Sequence, residues 1–202
     1  MLMSIHPNNP DERKIKQLVA LLKKGGVIIY PTDTVYGMGC DIAHPEAIER
    51  ICKIKQINPQ KAQLSFLCSD LSHLSEYTKA IDTPLYRFLK LYLPGPFTFI
   101  LEASKKVPKL LRTKKDTVGI RVPDNKICRA ILTELGNPIL STSLPFNAEG
   151  EILTDAEEIN ELFENLVDMV VDGGAGGVIP STIVDCTVSP PEIIREGAGE
   201  IV

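Results

Sequence analysis

Three short groups of polar residues have the composition of a ligand-binding site. They are Thr32-Asp33-Thr34, Ser141-Thr142-Ser143 and Ser181-Thr182, and each adjoins an apolar run typical of a buried strand. Hydroxyl groups and loop amides hydrogen-bond a carboxylate or a phosphate without the cost of burying a charge. Each group by itself is also explained by Asx and Ser/Thr turns. Because the pattern recurs at strand ends, where open α/β sheets present ligand-binding groups, the three groups together predict a polar pocket.

Two arginines lie inside strand-like apolar segments, Arg121 in residues 118–122 and Arg195 in residues 193–195. A guanidinium in such a setting must be paired, and a bidentate carboxylate or phosphate is its natural partner. For Arg121 the sequence leaves open whether that partner is a ligand or a structural salt bridge. For Arg195 it leaves open whether Glu196, or another acidic residue of the C-terminal part, fills this role.

The histidine and cysteine content argues against several kinds of active site. The chain has three histidines, and its five cysteines form no C-x-x-C pair, so a structural zinc site, a disulfide framework and a histidine-centred triad are not expected. We expect the cysteines to be small buried hydrophobic residues. The glycine-rich residues 173–177 lack both phosphate-loop patterns and predict a flexible turn. The chemistry therefore rests on hydroxyls, carboxylates, lysines and arginines.

Charge is segregated along the chain. Residues 49–115 carry thirteen basic and five acidic side chains, whereas residues 116–202 carry four basic and sixteen acidic ones. The net charges of these parts are +8 and −12, within a whole chain of −4. Such a protein is not a general polyanion binder, but one basic face can still meet phosphate.

Two lysine-rich segments carry this charge. Lys53, Lys55 and Lys61 cluster around the end of a predicted helix, where solvation at the helix C-terminus explains them unless the residue 32–34 loop lies opposite. Lys105–Lys115 is either a contact for structured RNA or a solvated surface loop.

The elements that must position these residues alternate between strand and helix without an internal repeat. This pattern predicts a single α/β domain over a mixed sheet. Asn9 is predicted to cap the first helix, which begins with Pro10 and ends at Gly25. The further predicted helices cover residues 45–55, 70–77, 83–93, 124–135 and 155–165. The predicted strands cover residues 27–30, 35–41, 64–68, 97–101, 118–122, 139–142, 167–171, 182–185 and 193–195.

No apolar run approaches the length of a membrane span, and the N-terminal residues have no basic-then-apolar signal pattern. We therefore expect a cytoplasmic protein without a membrane partner.

Six motifs, in this order, resemble the motif set of the YrdC/YciO family. They are Pro31-Thr32-Asp33-Thr34-Val35-Tyr36-Gly37, Leu93-Pro94-Gly95-Pro96-Phe97-Thr98, residues 117–121, Ser141-Thr142-Ser143, Pro180-Ser181-Thr182 and Arg195-Glu196-Gly197. The resemblance covers residues 5–200, and the residues 5–10 and 144–145 are most similar to the YciO branch. It implies one YrdC-like domain with an open twisted mixed sheet, flanking helices and a large concave, positively lined cavity.

The best-understood members of the family are threonylcarbamoyl-AMP synthases. They join L-threonine, bicarbonate and ATP, release pyrophosphate, and feed the threonylcarbamoyl modification of adenosine in tRNA. The resemblance implies that L-threonine is held by Thr34, Arg121, Ser141 and Ser181. It assigns the nucleotide to Lys55, Lys61, Thr117, Ser143 and Arg195, with Mg²⁺ on the triphosphate and neither a protein metal site nor a protein nucleophile.

Two departures from the family pattern favour an alternative. The synthases carry Lys-x-Arg where this chain has Lys55-Gln56-Ile57, and Ser-x-Asn where it has Ser143-Leu144-Pro145. Losing a charge-assisted phosphate contact and an amide hydrogen bond costs about 1.5–3 and ~1 kcal/mol, on the order of a hundredfold in rate or affinity. The alternative is a binding module that keeps the cavity, has weak or no synthase activity, and holds tRNA or double-stranded RNA with its basic segment.

Overall fold

The computed structural model describes residues 1–58, 64–108, 111 and 116–201, and these form one open sheet flanked by helices. The ten strands of the described residues are β1 (Leu2–Ser4), β2 (Val27–Tyr30), β3 (Gly37–Asp41), β4 (Ser65–Leu67), β5 (Phe97–Glu102), β6 (Thr117–Arg121), β7 (Ile139–Ser143), β8 (Met169–Asp172), β9 (Thr182–Asp185) and β10 (Glu192–Arg195). Their order across the sheet is β1-β8-β2-β3-β7-β4-β6-β5-β9-β10. The sheet contains both parallel and antiparallel pairs, so the predicted mixed α/β sheet is confirmed.

Six α-helices of the described residues cover the sheet. They are α1 (Glu12–Leu22), α2 (Pro45–Lys55), α3 (Leu74–Tyr77), α4 (Thr83–Tyr92), α5 (Lys126–Leu135) and α6 (Ala156–Phe163). Helices α1 and α5 pack on one hydrophobic cluster, to which Leu18 and Ile131 belong. Helices α2, α4 and α6 contribute to a second cluster, which includes Ile48, Leu89 and Ile159. The sheet is therefore buried on both sides over much of its width, which is why strands such as β2 read as uninterrupted apolar runs.

The start of α1 differs from the sequence prediction. The helix begins at Glu12, and the Asp11 side chain, not Asn9, accepts the hydrogen bond of a first-turn amide, that of Lys14, at 3.0 Å. Asp11 is a carboxylate at the positive end of the helix, so it is at least as good a cap as Asn9. Helix α2, by contrast, starts at Pro45 and ends at Lys55 as its pattern predicts.

Strand β1 was not predicted. It is short and half exposed, and its sequence Leu2-Met3-Ser4 has no alternation that a pattern could detect. Its backbone is fixed by parallel pairing with β8, a strand more than 160 residues away along the chain, from Leu2↔Val170 to Ser4↔Asp172. Such non-local pairing leaves no local trace in composition.

The cysteine prediction is confirmed, since all five are free and buried. In the part of the chain that the structure describes, no helix has both the length and the apolar character needed to cross a membrane.

Candidate functional site

A cavity of about 770 Å³ opens where the polar strand ends meet. Its size lies in the range of small-molecule and cofactor sites. The polar and charged side chains of its lining, among the described residues, are Tyr36, Lys55, Ser65, Thr98, Thr117, Arg121, Ser141, Thr142, Ser143, Ser181 and Arg195. The apolar part includes Val35, Ile57, Leu64, Phe66, Ile100, Leu111, Val118, Leu140 and Ile183.

Seven of the nine residues that the sequence assigns to a site line this one cavity. They are Lys55, Thr117, Arg121, Ser141, Ser143, Ser181 and Arg195. Thr34 is not part of the lining but contacts one of these residues, and Lys61 lies outside the described residues. The three hydroxyl groups singled out in the sequence therefore belong to one region of the molecule.

Strand pairing explains why distant serines and Arg121 come together. Ser65 of β4 is the register partner of both Ser141 on β7 and Gly119 on β6. Arg121 follows Gly119 by two positions, so its side chain is on the same face of the sheet. Neighbouring strands lie about 4.8 Å apart, so these side chains are within reach of one small ligand.

Arg121 is held by a buried ion pair. Its Nη2 atom donates to Asp33 Oδ1 at 2.8 Å and to the hydroxyl of Thr34 at 3.0 Å. The side chains of Arg121 and Asp33 are only 10% and 7% exposed, so the pair is nearly dry. The structural salt bridge left open by the sequence therefore exists. It does not use the whole guanidinium, because the buried Nε of Arg121 has no hydrogen-bond partner among the described residues.

Thr34 supports Arg121 from behind the cavity wall. It is 4% exposed, and its backbone amide donates to Thr32 Oγ1 at 3.0 Å in a turn of the kind that hydroxyl residues form. The carbonyl of Thr34 accepts the amide of Gly177 at 2.8 Å. Both interpretations of this loop consequently apply: it is a turn, and the turn positions the arginine of the cavity.

The glycine-rich segment is packed against this loop. A Cβ atom at Gly177 would lie 2.2 Å from the Thr34 carbonyl oxygen, and one at Gly176 would lie 2.6 Å from the Tyr36 ring. The Gly176 and Gly177 amides donate to the carbonyls of Thr154 and Thr34. These two amides are therefore committed within the fold and are not free to bind phosphate.

Arg195 is held by Ser181 and not by an acidic neighbour. Its Nη2 donates to the Ser181 carbonyl at 2.7 Å and approaches the Ser181 hydroxyl at 3.3 Å. No ion pair between Arg195 and a carboxylate occurs within the described ranges, so the suggestion that Glu196 fills this role is wrong. The Ser181 hydroxyl also lies 2.8 Å from that of Thr98, which ties β5 to the start of β9. Among the described residues, no carboxylate therefore neutralises the charge of Arg195 beside the cavity.

Lys55, the last residue of α2, reaches across to β7. Its Nζ donates to Thr142 Oγ1 at 3.2 Å and to the Ser143 carbonyl. Burial lowers the pKa of Lys55, since its partners are neutral and do not repay the lost hydration of the ammonium. Lys53, which is exposed, is not part of the lining. Of these two lysines, only Lys55 faces the cavity.

Both departures from the family pattern lie near Lys55. Gln56 adopts a left-handed backbone with φ of 54°, and the amide of Ile57 then returns to the Cys52 carbonyl at 3.0 Å. This turn places the apolar Ile57 side chain in the cavity lining. Pro145 is half-buried and is not part of the lining, while the amide of Leu144 donates to the Tyr36 carbonyl.

The electrostatic character of the cavity is positive. Among the described lining residues Lys55, Arg121 and Arg195 are cationic, and there is no aspartate or glutamate. Asp33 neutralises Arg121 from outside the lining, so Lys55 and Arg195 supply most of the attraction for an anion.

Two polar residues of the lining, Ser65 and Thr98, lie outside the three hydroxyl groups and were not assigned to the site from the sequence. Thr98 follows the alternation of Phe97-Thr98-Phe99, which predicts a polar residue opposite a buried face. Ser65 gave no such signal, since its pairing with Ser141 brings it to the cavity. The described residues also contain no cluster of three or more histidine, cysteine, aspartate or glutamate side chains able to hold a metal ion.

Comparison with known proteins places this geometry in a family. The Sua5/YciO/YrdC family model, described as "Telomere recombination", matches residues 20–197. The chain is 44% identical to the uncharacterized protein YciO of Escherichia coli K12, over 98% of this chain and 95% of that protein. It is 30% identical to a threonylcarbamoyl-AMP synthase of Pseudoalteromonas translucida, over 87% of this chain and 94% of the synthase.

Solved structures agree with the sequence matches. The crystal structure of E. coli YciO superposes with a TM-score of 0.92 at 43% identity, covering 99% of this chain and 97% of that one. P. abyssi Sua5, crystallised with L-threonine, gives a TM-score of 0.88 at 27% identity and covers 98% of this chain and 57% of the Sua5 chain. The cavity, the strand order and the sequence matches together assign this chain to the Sua5/YciO/YrdC family.

Proposed function

We propose that the cavity binds L-threonine and ATP and joins them, with bicarbonate, as threonylcarbamoyl-AMP and pyrophosphate. The observation that carries the proposal is the convergence of seven residues, assigned from the motifs alone, on one positively charged cavity. The similarity to a threonylcarbamoyl-AMP synthase and to an L-threonine-bound Sua5 supports the choice of substrates.

In this proposal L-threonine is held by Arg121, Ser141 and Ser181, which all line the cavity. Arg121 lines the cavity, and its guanidinium is a charged group with which a carboxylate would pair. The ion pair with Asp33 holds the guanidinium in place, so little entropy is lost when a ligand binds. In this proposal Thr34 acts by orienting Arg121.

The nucleotide is assigned to Lys55, Thr117, Ser143 and Arg195, which line the same cavity. Lys55 and Arg195 balance phosphate charge, and the hydroxyls fix its orientation. Because the described lining offers no carboxylate, Mg²⁺ would enter as part of the ATP complex, coordinated by the phosphates.

The proposed reaction needs no protein nucleophile. The threonine amine captures carbon dioxide derived from bicarbonate, and a carbamate oxygen then attacks the α-phosphate while pyrophosphate leaves. The cavity contributes by holding both substrates in contact and by stabilising the charge on the phosphates.

The side chain of Ile57 determines how tightly we expect the nucleotide to bind. An apolar side chain at this position makes no charge-assisted contact to a phosphate, and such a contact is worth about 1.5–3 kcal/mol. The proposal therefore includes weak nucleotide binding, lower than that of a chain with arginine at this position by roughly ten- to a hundredfold.

Calorimetric titration of ATP and then L-threonine into wild type and Ile57→Arg tests the proposal. We expect L-threonine to bind both proteins and ATP to bind the variant roughly ten- to a hundredfold more tightly. Ile54→Arg is the matched control, because Ile54 lies in the last turn of α2, three residues before Ile57, packs on the core and does not line the cavity. Pyrophosphate release from the variant should require both threonine and bicarbonate.

Failure of both proteins to bind either substrate would overturn the proposal. The next measurement would then be titration with duplex RNA at two salt concentrations, since the basic residues 49–115 supply the charge for phosphate contacts. RNA affinity that does not fall with salt would exclude that function as well.

A further inference from the structure

Tyr30 is a fully buried residue that contacts the cavity only through another side chain. It ends β2 and is 1% exposed. Its hydroxyl donates to the Oγ atom of Ser141 at 2.7 Å. Ser141 belongs to β7, which is separated from β2 by strand β3. The Tyr30 side chain therefore reaches across an entire strand to a residue of the cavity lining.

Glycines in β3 provide the space for this reach. A Cβ atom at Gly39 would lie 2.8 Å from the Tyr30 hydroxyl, and one at Gly37 would lie 3.5 Å from Cζ of its ring. The Cβ of Gly37 would also lie 3.2 Å from Ser141 Oγ. Side chains at these two positions would occupy the path of the phenol ring. The hydrogen bond between Tyr30 and Ser141 is consequently built into the sheet.

The buried environment determines which hydroxyl donates. Burial raises the pKa of Tyr30, so the phenol keeps its proton at ordinary pH. A buried phenol proton needs an acceptor, and Ser141 Oγ is the one that the described residues provide. Ser141 therefore accepts from Tyr30, and its own proton remains available to a group in the cavity.

We propose that Tyr30 is a positioning residue that fixes Ser141 as a hydrogen-bond donor toward the ligand. This inference rests on the proposed function and refines it, because a Ser141 hydroxyl that accepts from Tyr30 can direct its own proton to an acceptor of the ligand, such as a carboxylate or carbamate oxygen.

A double-mutant cycle with Tyr30→Phe, Ser141→Ala and the double variant tests the proposal, with the dissociation constant of L-threonine as readout. The phenylalanine keeps the ring and removes one hydroxyl, and we expect it to weaken L-threonine binding by roughly three- to tenfold. The double variant should bind no more weakly than Ser141→Ala, because Tyr30 acts through Ser141. Tyr86→Phe, at an exposed position on α4, is the matched control and should bind as wild type does.

Additive effects in this cycle, or unchanged binding in Tyr30→Phe, would overturn the inference. Thermal unfolding of each variant separates a loss of affinity from a loss of folding. A readout without ligand is the hydroxyl proton of Tyr30 in NMR spectra, assigned by its absence in Tyr30→Phe. We expect this signal to shift or exchange faster in Ser141→Ala, and an unchanged signal would show that the hydrogen bond is not made. Absence of L-threonine binding to wild type would overturn the proposed function, while the NMR result would still decide whether Tyr30 holds Ser141.

Discussion

The cationic residues of the cavity are held by different kinds of partner. Arg121 is paired with the carboxylate of Asp33, whereas in the described part of the chain Lys55 and Arg195 donate to hydroxyl and carbonyl oxygens. A carboxylate repays the desolvation of a buried cation, and neutral oxygens do so only in part. The ion pair therefore fixes the position of the Arg121 side chain, while Lys55 and Arg195 retain charge that an anion can neutralise.

This difference predicts a pH dependence at Lys55. Burial lowers the pKa of Lys55 below the ordinary 10.5, so the amine loses its charge at a lower pH than an exposed lysine does. Because only the charged form attracts phosphate, ATP affinity should be complete below that lowered pKa and fall as pH rises through it. In Lys55→Arg the fall should be absent, since a guanidinium stays charged.

Calorimetric titration of Mg²⁺-ATP from about pH 8 to about pH 10 checks this prediction. Lys79→Arg is the control, because Lys79 forms an exposed ion pair with Glu102 and is not part of the cavity lining. It should retain the pH dependence of wild type. An equal fall of affinity in wild type and Lys55→Arg would contradict the assignment of the charge to Lys55.

At the level of elements, β3 determines whether the site can form. It separates β2 from β7 and pairs antiparallel with both. Gly37 is the register partner of Tyr30 in β2 and of Ser143 in β7. All five of its residues are buried, and Met38 and Cys40 face the core. The intervening glycines on the opposite face admit the Tyr30 ring. Glycine in a strand is otherwise unfavourable, which points to a packing reason for Gly37 and Gly39.

Gly39→Ala is therefore expected to destabilise the protein. The added Cβ would lie 2.5 Å from the Leu140 carbonyl oxygen, a backbone atom that cannot move without disturbing β7. We expect the free energy of unfolding to fall by about 1–3 kcal/mol. At Gly37 the nearest atom to an added Cβ is a serine hydroxyl at 3.2 Å, so Gly37→Ala should cost less.

Urea denaturation of both alanine variants measures these free energies. Equal stability of wild type and Gly39→Ala would mean that the sheet accommodates a side chain here, and the packing argument for Tyr30 would lose its basis. A larger loss for Gly37→Ala than for Gly39→Ala would also contradict it.

On the scale of the whole molecule, the sheet has a core on each of its faces, and the five cysteines are distributed between these cores. Cys128 belongs to the cluster beneath α1 and α5, and the other four belong to the larger one. Burial raises the pKa of each thiol, to about 12 for Cys40, Cys68 and Cys186. Thiol reactivity depends on exposure and on the thiolate fraction, and both are low here.

We therefore expect a disulfide-exchange reagent to react slowly with all five thiols of the folded protein near neutral pH. In denaturant all five should react rapidly, because unfolding restores exposure and the ordinary pKa. Absorbance of the released thiolate counts the groups in each state. Rapid reaction of even one thiol in the native protein would show that part of a core opens readily.

Local sequence predicted much of the framework. Helix α2 and strand β9 have the bounds that their patterns predict, because caps, proline and β-branched runs act over a few residues. The assignment of seven polar residues of the cavity lining also came from the sequence, through the ordered motifs. Sequence failed where the determinant is distant: at β1, which depends on β8, and at Arg121, whose partner Asp33 is 88 residues away.

What the sequence by itself determined about this protein is which residues are buried, where strands end in hydroxyls, and the family to which the chain belongs. Tertiary structure alone decided which strand ends meet. The order β2-β3-β7-β4-β6 places Tyr30 beside Ser141, 111 residues later in the chain, and Ser65 between β7 and β6. The physical reason is that the local alternation of residues determines which face of a strand is buried. Which strands lie next to it depends on packing and hydrogen bonding across the entire sheet.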